Sequence, residues 1–158
     1  MNKEQFITAV KDEQNSLRSF LLALCCGNRD EADDIAQDAL VKAYLSLDGY
    51  VDKGQFHSWI FKIAFNTFIN HKSAARQFES LDEARSVIGS FVADGSFEYQ
   101  QLYLALSTLP ATLRSALTLY YINGYSIKEV AVITSSSEDA VKKQLSRGRE
   151  KLKDIISR

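Results

Sequence analysis

One proline and seven glycines stand among 158 residues. That scarcity excludes a collagen-like or Pro/Gly-driven disordered chain. It also argues against an all-β fold, which needs a turn signal every ~8–12 residues. The two cysteines are neighbours, Cys25 and Cys26, and so make no disulfide framework. No uninterrupted apolar run reaches the ~18 residues that a membrane span takes. Nothing of the signal-peptide kind follows Met1-Asn2-Lys3-Glu4-Gln5, and a soluble, cytoplasmic chain is expected. Charge of one sign is lacking as well: Lys plus Arg is 19, Asp plus Glu is 20, and the net charge is −1. A free-standing protein that coats nucleic acid by charge alone is thereby disfavoured, and any basic surface has to be local. Catalytic and metal-binding constellations are missing too. His57 and His71 stand apart from any metal-ligand spacing, and no Gly-rich loop is present to cradle a phosphate. The expectation is a protein that is not an enzyme, with no metal, cofactor or small-molecule substrate.

What is present is helical periodicity from end to end. Phe6, Val10, Leu17, Leu21 and Leu24 fit a first amphipathic helix ending near Gly27-Asn28. Ala32, Ile35, Ala36, Ala39, Ala43 and Leu47 make the stripe of a second helix, with Asp30 as its expected N-cap and a stop near Gly49. A third, from about Phe56 to Ala75, is apolar nearly all round. The pattern then fades between Gln77 and Phe97, apart from a weak apolar patch at Val87, Ile88, Phe91 and Val92, and this stretch reads as a linker. Helices resume at Phe97–Leu106 and again after Leu109, with Pro110 at a first-turn position, up to Asn123-Gly124.

Charge is gathered in blocks. Residues 53–78 hold Lys53, Lys62, Lys72 and Arg76 with no acid. Residues 141–158 hold seven Lys or Arg against Glu150 and Asp154. Two basic blocks in a near-neutral chain suggest two separate anionic contacts. The second block closes the sharpest local pattern. Ser126-Ile127-Lys128-Glu129 is a capping box that opens a short helix with Ile127, Val130, Ala131 and Ile133 on its apolar side. A polar turn follows, then a long helix capped by Ser136 or Ser137; Ser136 with Asp139 has the spacing of a second box. Val141, Leu145, Gly148 and Leu152 fall on one face of it, and Lys142, Lys143, Ser146, Arg147 and Arg149 fall outward. This is the outline of a helix-turn-helix, whose second helix enters the major groove. It is also the outline of a surface hairpin with a solvated basic face.

The first basic block interleaves Phe56, Trp59, Phe61, Phe65 and Phe68 with Lys62, Asn66, Asn70, His71, Lys72 and Arg76. Aromatic faces stack unpaired bases, and cations follow the phosphates of a strand. Burial in a core is the competing reading of the aromatics. On the second helix Asp34, Gln37, Asp38 and Val41 form a stripe apart from the apolar one. It is either a solvated face or a docking surface for a basic partner.

Three stretches together resemble an extracytoplasmic-function (ECF) type bacterial sigma factor of RNA polymerase. Asp33-Asp34-Ile35-Ala36-Gln37-Asp38-Ala39-Leu40-Val41-Lys42-Ala43-Tyr44 resembles the family's polymerase-binding helix. Phe56-His57-Ser58-Trp59-Ile60-Phe61-Lys62-Ile63-Ala64-Phe65-Asn66 resembles its promoter-melting helix. Leu109-Pro110 through Leu152 resembles its −35-reading helix-turn-helix. The resemblance implies an all-α protein of two small helical domains, residues 1–76 and 98–158, joined by a flexible linker over 77–97. Asp34, Gln37, Asp38 and Val41 would dock on core polymerase. Trp59, Lys62, Asn66, Asn70, Lys72 and Arg76 would hold the unpaired −10 strand. Lys142, Lys143, Ser146, Arg147 and Arg149 would read the −35 duplex. The implied partners are core RNA polymerase, promoter DNA and an anti-sigma factor, which in this family is often membrane-anchored. Two other classes fit parts of the pattern: a free-standing helix-turn-helix regulator with an N-terminal dimerisation or sensing bundle, and a helical adaptor that binds only protein.

Overall fold

A computed structural model describes the backbone of residues 1–76 and 97–156, and the side chains of 1–74 and 100–155. The apolar patch at Val87–Val92 and the rest of the expected linker lie outside the described residues. Seven α-helices and no strand occur among the described residues: α1 (Lys3–Leu24), α2 (Arg29–Leu45), α3 (Phe56–Arg76), α4 (Phe97–Ser107), α5 (Ala111–Leu117), α6 (Ile127–Thr134) and α7 (Glu138–Ile156). A 3-10 turn at Leu47–Gly49 follows α2, and a π-helical turn at Thr118–Ile122 extends α5. No described helix is long and apolar enough to cross a membrane.

The helix ends follow local chemistry. Asn2 caps α1 by accepting from the Gln5 N–H at 2.8 Å, and the Gln5 side chain accepts from the Asn2 N–H at 3.0 Å. At the other end Cys26 takes the left-handed conformation, with φ of 56°, and Gly27 follows it at φ of 87°. Gly27 N–H reaches back to the Leu22 carbonyl at 2.9 Å and Cys26 N–H to Ala23 at 3.1 Å, the Schellman pattern. Asn28, not the expected Asp30, caps α2, its side chain accepting from the Glu31 N–H at 3.1 Å. An amide oxygen two residues earlier does the same work, and it leaves Asp30 in the first turn, where the helix dipole favours an acid. Pro110 sits just before α5, one place earlier than expected. The Ser126–Glu129 box is formed, at 3.1 and 3.2 Å. The second box is not. Ser137 caps α7 by accepting from the Ala140 N–H at 3.1 Å, while the Ser136 hydroxyl turns back to Thr134.

α1, α2 and α3 form a three-helix bundle, and α5, α6 and α7 form a second unit with α4 against it. All six residues of the expected second stripe are buried, Ala32 to Ala43 on α2 and Leu47 in the 3-10 turn after it. The two halves are packed on each other. α6 lies against α3, α1 meets α5 and its π turn, and one buried cluster runs from Phe6 to Leu145 through both. Within the second unit α5 and α7 approach closely at Gly148. A methyl placed there would sit 2.7 Å from Leu117 Cδ1, so only glycine lets the helices touch without displacing that side chain. Cys25 and Cys26 are free thiols buried in this interior. Burial pushes the Cys25 thiol far up, as it does the Cys26 thiol, and both behave as small apolar groups.

Candidate nucleic-acid interface

α2 turns its apolar side inward and leaves Asp34, Gln37, Asp38 and Val41 exposed on one outer stripe. The stripe has an apolar end that the sequence reading omitted: Tyr44 and Leu45 are open beside Val41, Leu45 at 75%. The spacing 34, 38, 41, 45 was there to read, since residues three and four apart share a helix face. Asp38 is also engaged sideways, its carboxylate 2.7 Å from His71 Nε2 on α3.

α3 sorts its aromatics by face. Phe61, Phe65 and Phe68 are buried, so the core reading holds for them. Trp59, Lys62, Asn66 and Asn70 recur at i, i+3, i+7 and i+11 and share the outer stripe. Lys62, Asn66 and Asn70 are exposed, and Trp59 is half-buried against Tyr50, with ring centroids 4.5 Å apart, and Phe56, at 5.6 Å. An open cavity of about 370 Å³ borders the Tyr50 and Trp59 rings, with Lys53, Lys62, Ser58 and Val132 also on its wall. Asp52 shapes the loop above it, accepting from Tyr50 Oη at 3.3 Å and from the Gly54 N–H at 3.1 Å. Burial, then the Asp52 charge, raises the Tyr50 phenol and keeps it a neutral donor. A ring face, a hydroxyl and two ammonium groups around one cavity suit a single unstacked base and its phosphates.

Lys72 is not brought to that stripe. Its ammonium lies 2.7 Å from Glu31 on α2 and 5.8 Å from the centre of the Phe68 ring. Arg76 is the last residue of α3, where only the backbone is described.

On α7 Val141, Leu145 and Gly148 are buried, while Lys142, Lys143, Ser146 and Arg147 are exposed. The tight turn before it uses Ser135 in the left-handed region, with φ of 53°. Arg149 points elsewhere: it donates to Tyr121 Oη at 3.0 Å and stands at the rim of an apolar groove of about 500 Å³ between α4, α5 and α7.

Sequence reasoning missed the residues that tie the halves together. The Arg114 guanidinium donates to the carbonyls of Leu24, Leu106 and Leu109. His57 Nε2 lies 2.7 Å from Glu129 Oε2. Tyr125 stacks on His57, centroids 5.4 Å apart, and puts its edge on Phe61. The partners that cross between the halves are 64 to 90 residues apart, so no local signal announces them.

A helix-turn-helix joined to a three-helix bundle with an aromatic, amide-bearing helix is the arrangement of a promoter-reading protein. The chain matches the family Sigma-70 region 2 over residues 9–78 and the family Sigma-70, region 4 over residues 99–152. It is 32% identical over 142 residues to the ECF RNA polymerase sigma factor SigW of Bacillus subtilis, covering 80% of this chain and 76% of that one. It is 29% identical over 144 residues to the ECF RNA polymerase sigma factor EcfG of Rhodopseudomonas palustris, covering 89% and 79%. Its fold superposes with a TM-score of 0.80, at 25% identity and over 98% of both chains, on the sigma factor RpoE solved in complex with the anti-sigma factor NepR from Bartonella quintana. The chain belongs to the ECF sigma factors. It directs transcription initiation by RNA polymerase.

Proposed function

We propose that residues 1–76 bind core polymerase and handle the −10 element, that residues 98–158 read the −35 element, and that 77–97 join them in a cytoplasmic initiation factor. Asp34, Gln37, Asp38 and Val41 dock on a basic surface of the polymerase, with Tyr44 and Leu45 supplying an apolar edge. Trp59, Lys62, Asn66 and Asn70 hold the unpaired −10 strand. Trp59 and Tyr50 offer ring faces, and the two amides supply paired donors and acceptors for base edges. Lys72 and Arg76 serve the phosphates further along α3, Lys72 by giving up Glu31. On α7, Lys142, Lys143, Ser146 and Arg147 face the −35 major groove, and Arg149 grips phosphate at its border. The complex of RpoE with NepR supports an anti-sigma factor as a further partner.

The observation that carries this reading is the α3 stripe. Two exposed amides and a lysine continue from an aromatic cavity on the same side of one helix. A core helix has no use for that side, and a duplex reader has no use for the rings. Asn66→Ala with Asn70→Ala should leave folding intact and slow open-complex formation, read as permanganate reactivity of unpaired thymines. A promoter with a pre-opened bubble should restore part of the loss, because unpairing a base costs a few kcal/mol. Parental melting by the double variant would remove α3 from strand handling.

A further inference from the structure

His71 is a member of the first basic block that neither the strand surface nor the core accounts for. Ala64, Thr67 and Phe68 are buried on the inner face of α3. His71 is the next place along that face, seven, four and three residues on. Asn70 precedes it in sequence but lies about 100° round the helix, on the outer stripe. The His71 side chain is 33% exposed and reaches across to α2. Asp38 comes to the same place from the other side. It follows buried Ile35 by three residues and exposed Asp34 by four, so it stands between the apolar stripe and the outer one. Its Oδ2 lies 2.7 Å from His71 Nε2. A carboxylate only accepts, so Nε2 carries a hydrogen and donates. Among the described residues Asp38 is the one member of its stripe hydrogen-bonded to another helix, and none donates to its Oδ1. The Asp38 side chain is still 56% exposed. Neighbouring Lys72 does not compete for it, since its ammonium lies 2.7 Å from Glu31.

We infer that His71 is a positioning residue for polymerase docking: it ties one oxygen of Asp38 and so presents the other outward, in one orientation, before the polymerase arrives. This rests on the docking reading of Asp38. An untied carboxylate on a helix exchanges between staggered rotamers, and an interface that has to fix it loses affinity. A hydrogen bond from the neighbouring helix removes that cost in advance. His71 acts through Asp38 and needs no contact of its own with the polymerase. The same imidazole is thereby committed to α2 and is withdrawn from the strand that Asn66 and Asn70 face.

The test is a double-mutant cycle on core polymerase affinity, run without DNA so that no strand contact enters. The full chain and its variants compete with a labelled parent chain for purified core RNA polymerase, followed by anisotropy, with helix content checked by circular dichroism. His71→Leu removes the donor and keeps most of the volume. It should weaken docking by about two- to fivefold, the lower part of the range for immobilising one side chain. His71→Ala serves as a second donor-free variant. His71→Gln, whose amide nitrogen can donate to Asp38, should stay near the parent. With Asp38→Ala already in place, His71→Leu should change nothing further. A loss that His71→Gln does not restore, or that is as large with Asp38 already removed, would make His71 merely structural and overturn the proposal. Tighter docking by the donor-free variants would overturn it too, because the imidazole would then be competing with the polymerase for the carboxylate. Parental affinity of both donor-free variants, while Asp38→Ala weakens docking, would overturn the positioning and leave the docking reading standing. Parental affinity of Asp38→Ala would instead sink the docking role of Asp38, and the positioning with it.

Discussion

Arg114→Ala is the most exacting structural perturbation. One half-buried guanidinium serves three carbonyls: Leu106 through Nε at 3.1 Å, Leu109 at 3.1 Å, and Leu24. Leu24 ends α1, and Leu106 lies in the last turn of α4, so a cation there also meets the negative ends of two helix dipoles. A hydrogen bond involving a charged group contributes ~1.5–3 kcal/mol when buried. Half-exposure lets water replace part of that, so about 1 kcal/mol per bond is the reasonable share, or about 3 kcal/mol in all. For a chain of this size each kcal/mol shifts Tm by ~2–4 °C, so the midpoint should fall by roughly 6–12 °C. Arg114→Lys should recover only a minority of it, because an ammonium lacks the planar fork that reaches several carbonyls at once. Chemical denaturation monitored by far-ultraviolet circular dichroism, with the single Trp59 as a second probe, measures both the loss and its distribution. Because Arg114 bridges the halves, the alanine variant should also separate the two signals, the Trp59 transition no longer coinciding with loss of helix. A variant within 0.5 kcal/mol of the parent, typical of a surface substitution, would refute the reasoning.

Asp34→Ala with Gln37→Ala should leave Tm nearly unchanged, since both side chains are exposed; co-purification with core polymerase should fall sharply, and retained binding by a folded variant would discard the docking role. On α7, Lys142→Ala or Arg147→Ala should weaken binding most at particular −35 base pairs, by ~1–3 kcal/mol per lost contact. Lys151 is exposed further along α7, past the half that faces the groove; as a phosphate contact, its change to alanine, Lys151→Ala, should weaken all promoters alike and reduce the salt slope by roughly one, as holoenzyme titrations on a −35 mutant series at two salt concentrations would show. The contact between the halves has a pH dependence of definite sign. The hydrogen bond from His57 is the main cause holding the Glu129 carboxyl below its ordinary 4.5, with Ser126 assisting and burial opposing; Tyr125 faces the same ring, and Glu13 lies near Tyr125. A carboxylate lowered in the closed form contributes fully above its ordinary range and loses that contribution as pH falls through the lowered value. Acidification from about pH 7 to about pH 4 should therefore loosen the contact in the parent more than in Glu129→Gln, as solution scattering would show by expansion, and equal responses would remove Glu129 from that contact.

Most helices were legible because their apolar spacing is strong. The stripe from Ala32 to Leu47 and the face of Val141, Leu145 and Gly148 are buried as their periodicity requires. Caps were less legible. Asn28 and Asp30 are both good caps, as are Ser136 and Ser137, and only the path of the incoming chain selects one. On α3 the sequence reading put residues of two faces into one set. Spacing separates Trp59, Lys62, Asn66 and Asn70 from Lys72, whose side chain is drawn to Glu31 by a contact that no sequence window contains. The ties between halves were invisible for the same reason. Glu129 announced itself as a cap, and its second partner, His57, stands on a helix 72 residues away.

The central claim is that this chain confers promoter selectivity on a polymerase that lacks it. Run-off transcription with purified core RNA polymerase over a genomic fragment library tests it most directly. The account predicts discrete transcripts that appear only when the chain and the core enzyme are both present, that start downstream of a shared pair of elements, and that vanish with the Asp34→Ala, Gln37→Ala variant. Sequence-specific binding to duplex DNA by the chain alone as a dimer, with no transcript gained on adding core enzyme, would contradict it.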